Sequence, residues 1–161
     1  MANDGLQQLF EESVSAITAT NSVQLGSERW KDGNKYRYIY NKSSSTAAVG
    51  KAMVYIGANA SASSGFSLTV SSTAGDYDLG GVVYHTDIEP RNYGWVVVNG
   101  VIPGCETSSG TTAGQYVTLA ADGRFRSGSA TTGDLYQPLG VALTVTAASS
   151  YGTFTVRINC A

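Results

Sequence analysis

Charge is scarce in this chain of 161 residues: Asp, Glu, Lys and Arg together make up 14% of it, where about 25% is usual. The net charge is −2, so composition makes no general case for nucleic acid or an anionic membrane as partner. No apolar run is long enough to cross a bilayer. The first residues lack the basic stretch and apolar core of a secretory signal, so a cytosol-like compartment is expected. Histidine occurs once, at His85, and cysteine twice, at Cys105 and Cys160. Two cysteines with no CxxC knuckle and a single histidine exclude a zinc framework. In a reducing compartment both are expected as free thiols; a disulfide formed after release from the cell is the alternative. No GxSxG elbow, HExxH pair or Walker loop occurs. Gly80-Gly81 lacks the strand-then-helix context of a phosphate cradle. No ordinary hydrolase, oxidoreductase or metalloenzyme is expected, and no cofactor or metal.

The remaining candidates for chemistry are few. Asp76, Asp78, Asp87 and Glu89 form an acidic cluster. They could gather oxygen ligands for Ca²⁺, although the EF-hand spacing is absent, or pair for sugar hydrolysis. A solvated surface is the simpler reading. His85 beside Asp87 and Glu89 reads as a surface or loop residue rather than a base. Bases are uneven as well: none precedes Arg29, and six of the ten fall between Arg29 and Lys51. Such alternating zones would suit head-to-tail packing of like subunits, or merely a solvated surface.

What the chain does hold is glycine, 19 residues, and tyrosine, 10 residues, in a background of Ser, Thr, Ala and Val. β-branched and aromatic residues between turn formers favour strands joined by tight loops. The length fits one domain, large enough to bury a core without disulfide or metal. The expected fold is all-β, a compact β-sandwich or β-barrel over residues 23–161, preceded by an arm over residues 1–22. Within the arm, Asp4 and Gln7 have capping-box spacing, and Leu6, Leu9, Phe10, Ser13, Val14 and Ile17 share a helical stripe. Residues 5–16 are therefore expected as a short amphipathic helix or helix-prone arm. So short a helix must dock its stripe, on its own domain or on a neighbouring subunit.

From Val23 onward the pattern alternates. In Lys35–Tyr40, Tyr36, Tyr38 and Tyr40 take one face and Lys35, Arg37 and Ile39 the other. Tyrosines among bases suit stacking on single-stranded nucleic acid, but tyrosines on one face are explained more simply by core packing. Further strands are expected over 49–56, 66–70, near Val82–Tyr84, 95–98, 115–120, 139–146 and 151–159, with a loop at 58–65 and a long irregular connection over 71–93. In the last strand Phe154, Val156 and Ile158 point one way and Thr153, Thr155 and Arg157 the other. Asn99-Gly100 and Asp122-Gly123 are type I′ hairpin signals, and Pro103-Gly104 would close the unit begun at Asn99. Evenly spaced short strands indicate a sandwich or barrel.

The run Tyr93-Gly94-Trp95-Val96-Val97-Val98-Asn99-Gly100 resembles a strand of the capsid decoration, or cement, proteins of tailed bacteriophages. The resemblance continues through Ala113-Gly114, then Leu139-Gly140-Val141-Ala142-Leu143, then Tyr151 to Ile158, and so spans residues 93–159. It implies a jelly-roll or β-tulip-like domain on the outside of the phage head, assembled in the host cytoplasm, without enzymatic activity. It further implies that the major capsid protein and further copies of the chain, as a homotrimer or dimer, are the partners, with no membrane or nucleic acid. Under that reading Leu6, Leu9 and Phe10 would dock the arm, and Trp30 and Tyr36 flank a basic strand facing acidic capsid surface. Tyr93 and Trp95 would anchor a subunit interface, with a core role the alternative for Trp95. The runner-up is a tail- or fibre-associated module that binds a host glycan through Tyr77 and Tyr84.

Overall fold

The computed structural model describes residues 13–55, 66–70, 79–128, 139–146 and 152–159. The stripe residues Leu6, Leu9 and Phe10, the loop at 58–65, Asp76, Tyr77, Asp78 and Cys160 lie outside the described residues. Ten strands occur among those described: β1 (Glu28–Lys31), β2 (Asn34–Asn41), β3 (Ala52–Tyr55), β4 (Ser67–Val70), β5 (Leu79–Val83), β6 (Tyr93–Thr107), β7 (Tyr116–Leu119), β8 (Phe125–Ser127), β9 (Gly140–Ala142) and β10 (Gly152–Asn159). The fold is all-β. The sheet is mixed: β2–β4 and β6–β8 are parallel and the other pairs antiparallel.

The pairings close two circuits that share β6. One runs β2–β4–β3–β5–β6 and back to β2; the other runs β6–β10–β9–β7–β8 and back to β6. Strand alternation sorts the side chains. Ile39, Met53, Leu68, Val83, Val96 and Val98 form one core cluster. Tyr36, Tyr38, Trp95 and Val97, from the opposite faces of β2 and β6, join a second cluster with Ile102, Cys105, Val117, Leu119, Phe125, Phe154, Val156 and Ile158. The period-2 reading of Tyr36, Tyr38 and Ile39 therefore holds. So does that of the last strand, where Phe154, Val156 and Ile158 are buried and Arg157 exposed.

The Asn99-Gly100 hairpin expectation is overturned. β6 runs unbroken from Tyr93 to Thr107, through Pro103-Gly104 as well. Its length forces two irregularities. Against β2, Tyr36 faces Val97 while Lys35 faces Asn99, which leaves Val98 as an extra residue. Against β10, Cys105 faces Phe154 and Ile102 faces Val156, so Pro103-Gly104 form a second bulge. A bulge shifts side-chain parity and bends the strand, which lets β6 serve both circuits. Gly100 is needed at the first bend. Its φ is +140°, and a Cβ there would stand 1.9 Å from Asn34 Oδ1. That oxygen accepts the Val101 N–H at 2.9 Å. The strong turn signal thus loses to pairing on both edges of β6.

The other sequence signal succeeds. Asp122 and Gly123 both have positive φ, as a type I′ turn requires, and they join β7 to β8. Asp32-Gly33, also with positive φ at both residues, joins β1 to β2 in the same way. Strands expected over 49–56 and 139–146 are shorter than expected. The first begins only at Ala52, because a turn closed by Lys51 N–H to Ala48 O comes before it. The second ends at Ala142. Residues 5–12 of the expected helix or helix-prone arm lie outside the described residues; residues 13–16 form a single turn with Ala16 N–H on Ser13 O at 2.9 Å. Ser13 Oγ accepts from the Ser15 N–H at 3.3 Å, the local competition by which serine disfavours helix. Val14 is buried in the core shared with β2 and β6. Thr18 pairs with Tyr93 through both backbone groups, and the Thr18 and Ser22 hydroxyls meet Tyr38 Oη at 2.9 and 3.1 Å.

Gly100→Ala is expected to lower unfolding free energy by about 2 kcal/mol or more, through strain and loss of the Asn34 acceptor. Urea denaturation measures it; an unchanged midpoint would show that β6 does not bend at Gly100 as described.

Candidate interaction surface

Directly opposed residues of antiparallel strands point to the same side of a sheet. Trp30 faces Lys35, Lys35 faces Asn99, and Asn99 faces Asn159, which sets one row across β1, β2, β6 and β10. Val101 faces Arg157, Arg157 faces Val141, and Val141 faces Tyr116, which sets a second row across β6, β10, β9 and β7. Both rows lie on one outer sheet face, because Asn99 and Val101, like Arg157 and Asn159, are two residues apart. Trp30 is 65% exposed at one end and Tyr116 60% exposed at the other. Val101 and Leu143 are part-exposed between and beside them. Isolated exposed apolar residues are ordinary, but a gathering on one face marks an interaction surface.

The Trp30 end is held by ion pairs. Glu28 bridges Lys35 and Arg37, taking the Arg37 Nε and Nη2 donors at 3.0 and 2.7 Å on one oxygen. Arg37 also donates to Tyr55 Oη and lies over the Phe66 ring at 5.7 Å. It thereby ties β2 to the β3 end. The Lys35 ammonium, opposed by partial burial and helped by Arg37, holds the Glu28 carboxyl below its usual range.

A cleft of about 550 Å³ opens beside Trp30's row, between the Asp32-Gly33 turn and the place where the middle of β6 pairs with the end of β10. Asp32, Asn34, Asn99, Arg157 and Asn159 supply its polar lining, and Val101 and Ile158 its apolar part. Asn99 Nδ2 donates to Asn159 Oδ1 at 2.8 Å. A second hollow of about 310 Å³ is rich in hydroxyls, from Ser43 to Thr46 with Lys51 and Asp122.

Of the residues singled out from sequence, Trp30 lies on the outer face. Tyr36 and Trp95 are buried, 1% and 4% exposed, so they support the surface from beneath rather than form it. Tyr36 Oη meets His85 Nε2 at 2.9 Å, and the Arg29 guanidinium sits over the Trp95 ring at 4.1 Å. Tyr93 is half-buried, packed on Tyr38 and Tyr40. His85 is packed between Tyr36 and Tyr84, and burial, with Lys31 nearby, lowers its pKa. Asp87 Oδ1 accepts the Val49 N–H and Glu89 Oε2 accepts from Thr46 Oγ1, so both acids brace the 46–49 loop. Among the described residues no group of three or more His, Cys, Asp and Glu could hold a metal ion. Cys105 is a free, buried thiol that burial pushes up to about 12.

Sequence reasoning missed the cleft. Asp32-Gly33 carried a readable turn signal. The meeting of Asn34, Asn99 and Asn159 depends on long-range register and left no local mark.

No protein-family model matches the sequence, and no curated protein matches it. Among solved structures the chain is similar to the N base of head fiber gp8.5 in bacteriophage phi29, at 15% identity and a TM-score of 0.47, over 78% of this chain and 96% of that one.

Two outcomes are expected. Because its folded pKa is lowered, Glu28 contributes stability fully above its ordinary value of 4.5 and loses that contribution as pH falls through the folded value. The urea midpoint should therefore fall more steeply from about pH 5 to about pH 3 in the unaltered chain than in Glu28→Gln; equal slopes would contradict the bridge. In Cys160→Ser, Cys105 should resist a thiol reagent near neutral pH when folded and react fully in urea; rapid reaction of the folded chain would contradict its burial.

Proposed function

We propose that this chain is a non-enzymatic structural protein of a tailed-phage virion. It sits on the outside of the head as a homotrimer, binds the major capsid protein and bridges capsomers. The observation that carries the reading is the outer face, where the exposed side chains of Trp30, Val101 and Tyr116, on β1, β6 and β7, lie on one side of a six-stranded stretch of the sheet. A chain built this way acts by surface contact. The run that resembles decoration proteins, residues 93–159, supplies β6 to β10, half the strands and all of the second circuit. We read the two circuits as a compact frame of the sandwich or barrel kind. The apolar stripe of Leu6, Leu9 and Phe10 is assigned to the head. Repeated over a lattice, such modest contacts gain durability by multivalency.

The runner-up, a fibre-associated module that binds a glycan, is favoured by one observation: the polar cleft beside exposed Trp30. Tyr84 is half-buried against His85 and serves that role less well than Trp30.

Purified chain mixed with emptied, expanded heads should co-sediment saturably. Leu9→Ser with Phe10→Ser should weaken that binding at least about tenfold, since truncated apolar anchors dominate interface losses, with thermal stability unchanged. Failure of the unaltered chain to bind heads would overturn the reading.

A further inference from the structure

The cleft between the Asp32-Gly33 turn, the middle of β6 and the end of β10 has a lining whose chemistry is specific. Its side chains are planar and polar: the Asp32 carboxylate, the Arg157 guanidinium and the asparagine amides. Asp32 and Arg157 carry opposite charges, so the cleft is neutral as a whole. They form no ion pair with each other among the described residues, which leaves both to bind elsewhere. Lys35, the nearest base of the adjoining row, is engaged by Glu28. The Asn99–Asn159 bond uses one donor and one acceptor. Asn99 Oδ1 is thereby left as an acceptor and Asn159 Nδ2 as a donor.

A neutral site that offers paired acceptors and donors matches groups that both give and take a hydrogen bond. Hydroxyls do so; sulfate, an acceptor only, would find no partner for the acceptors and would meet the Asp32 carboxylate. Trp30 adds an apolar plate. It stands in the same cross-strand row as Asn99, two strands away, which is about 10 Å at ordinary strand spacing. That separation suits a second ring beside one held in the cleft. An exposed indole 65% open to solvent offers its face to the C–H side of a pyranose, with its body apolar and its edge wet.

We propose that the cleft and Trp30 form a binding site for a neutral oligosaccharide of at least two sugar units. One unit's hydroxyls are held by Asp32, Asn99, Arg157 and Asn159, and the next unit stacks on Trp30. The site goes beyond head attachment and does not depend on it.

The test uses the free full-length chain on an array of neutral and acidic oligosaccharides. Any hit is then titrated against ¹⁵N-labelled protein. Expected are binding of neutral sugars, shifts at the Asn99 and Asn159 side-chain amides and the Trp30 indole N–H, at least tenfold weaker binding in Trp30→Ala, and none detectable in Arg157→Ala with Asn159→Ala. All three side chains are exposed, so the variants should fold, which circular dichroism checks. No neutral sugar bound by the folded chain, binding of acidic glycans only, or binding that survives both variants would overturn the proposal. Head co-sedimentation decides the attachment reading separately.

Discussion

β6 is the strand on which the rest of this structure depends. It pairs with β2, β5, β8 and β10 and so belongs to both closed circuits. One strand can do this only if its side chains change allegiance along its length. Trp95 and Val97 face one core cluster, Val96 and Val98 the other, and Ile102 and Cys105 return to the first. Period 2 forbids that sequence of faces in a regular strand. The extra residue at Val98 and the Pro103-Gly104 bulge supply the two shifts, and Gly100 lets Asn34 close on the backbone between them.

The same shift produces the outer face. On β2, Arg37 and Ile39 point toward the side of Val96, where Ile39 is buried with Met53 and Leu68. One residue pair further along, Lys35 and Asn99 lie beyond that cluster and meet solvent. Trp30, Asn159, Val101 and Arg157 follow in register. The surface to which binding is assigned is thus the continuation of a core face past the point where its covering strands end. Glu28, Lys35 and Arg37 close that boundary with charge, and the Arg37–Tyr55 bond fastens it to β3.

Much of this was legible locally. The alternation in Lys35–Tyr40 and in Thr153–Ile158 placed the buried residues correctly because each strand has one face on a core. Asp122-Gly123 announced its turn because the backbone there needs two positive φ values. Asn99-Gly100 carried an equal signal and misled. There the glycine serves a strand that must pass close to Asn34, and a dipeptide cannot distinguish a reversal from a close approach. Tyr36 and Trp95 read more simply as core from the sequence, with surface anchoring implied by the resemblance alone. Only the long-range closure of the circuits buries them. The cleft was illegible for the same reason, since Asp32, Asn99 and Asn159 are brought together by the register of three strands far apart in the chain.

If β6 is the common member of both circuits, the two halves of the frame cannot open separately without breaking it. Native-state hydrogen exchange tests this most directly, since it reports the opening free energy of each amide. The amides of Val96 to Val98 and of Ile102 and Cys105 should be the slowest in the chain and share one opening free energy, equal to that of global unfolding. Two distinct values, with one segment of β6 exchanging while the other stays protected, would contradict a single frame built on this strand.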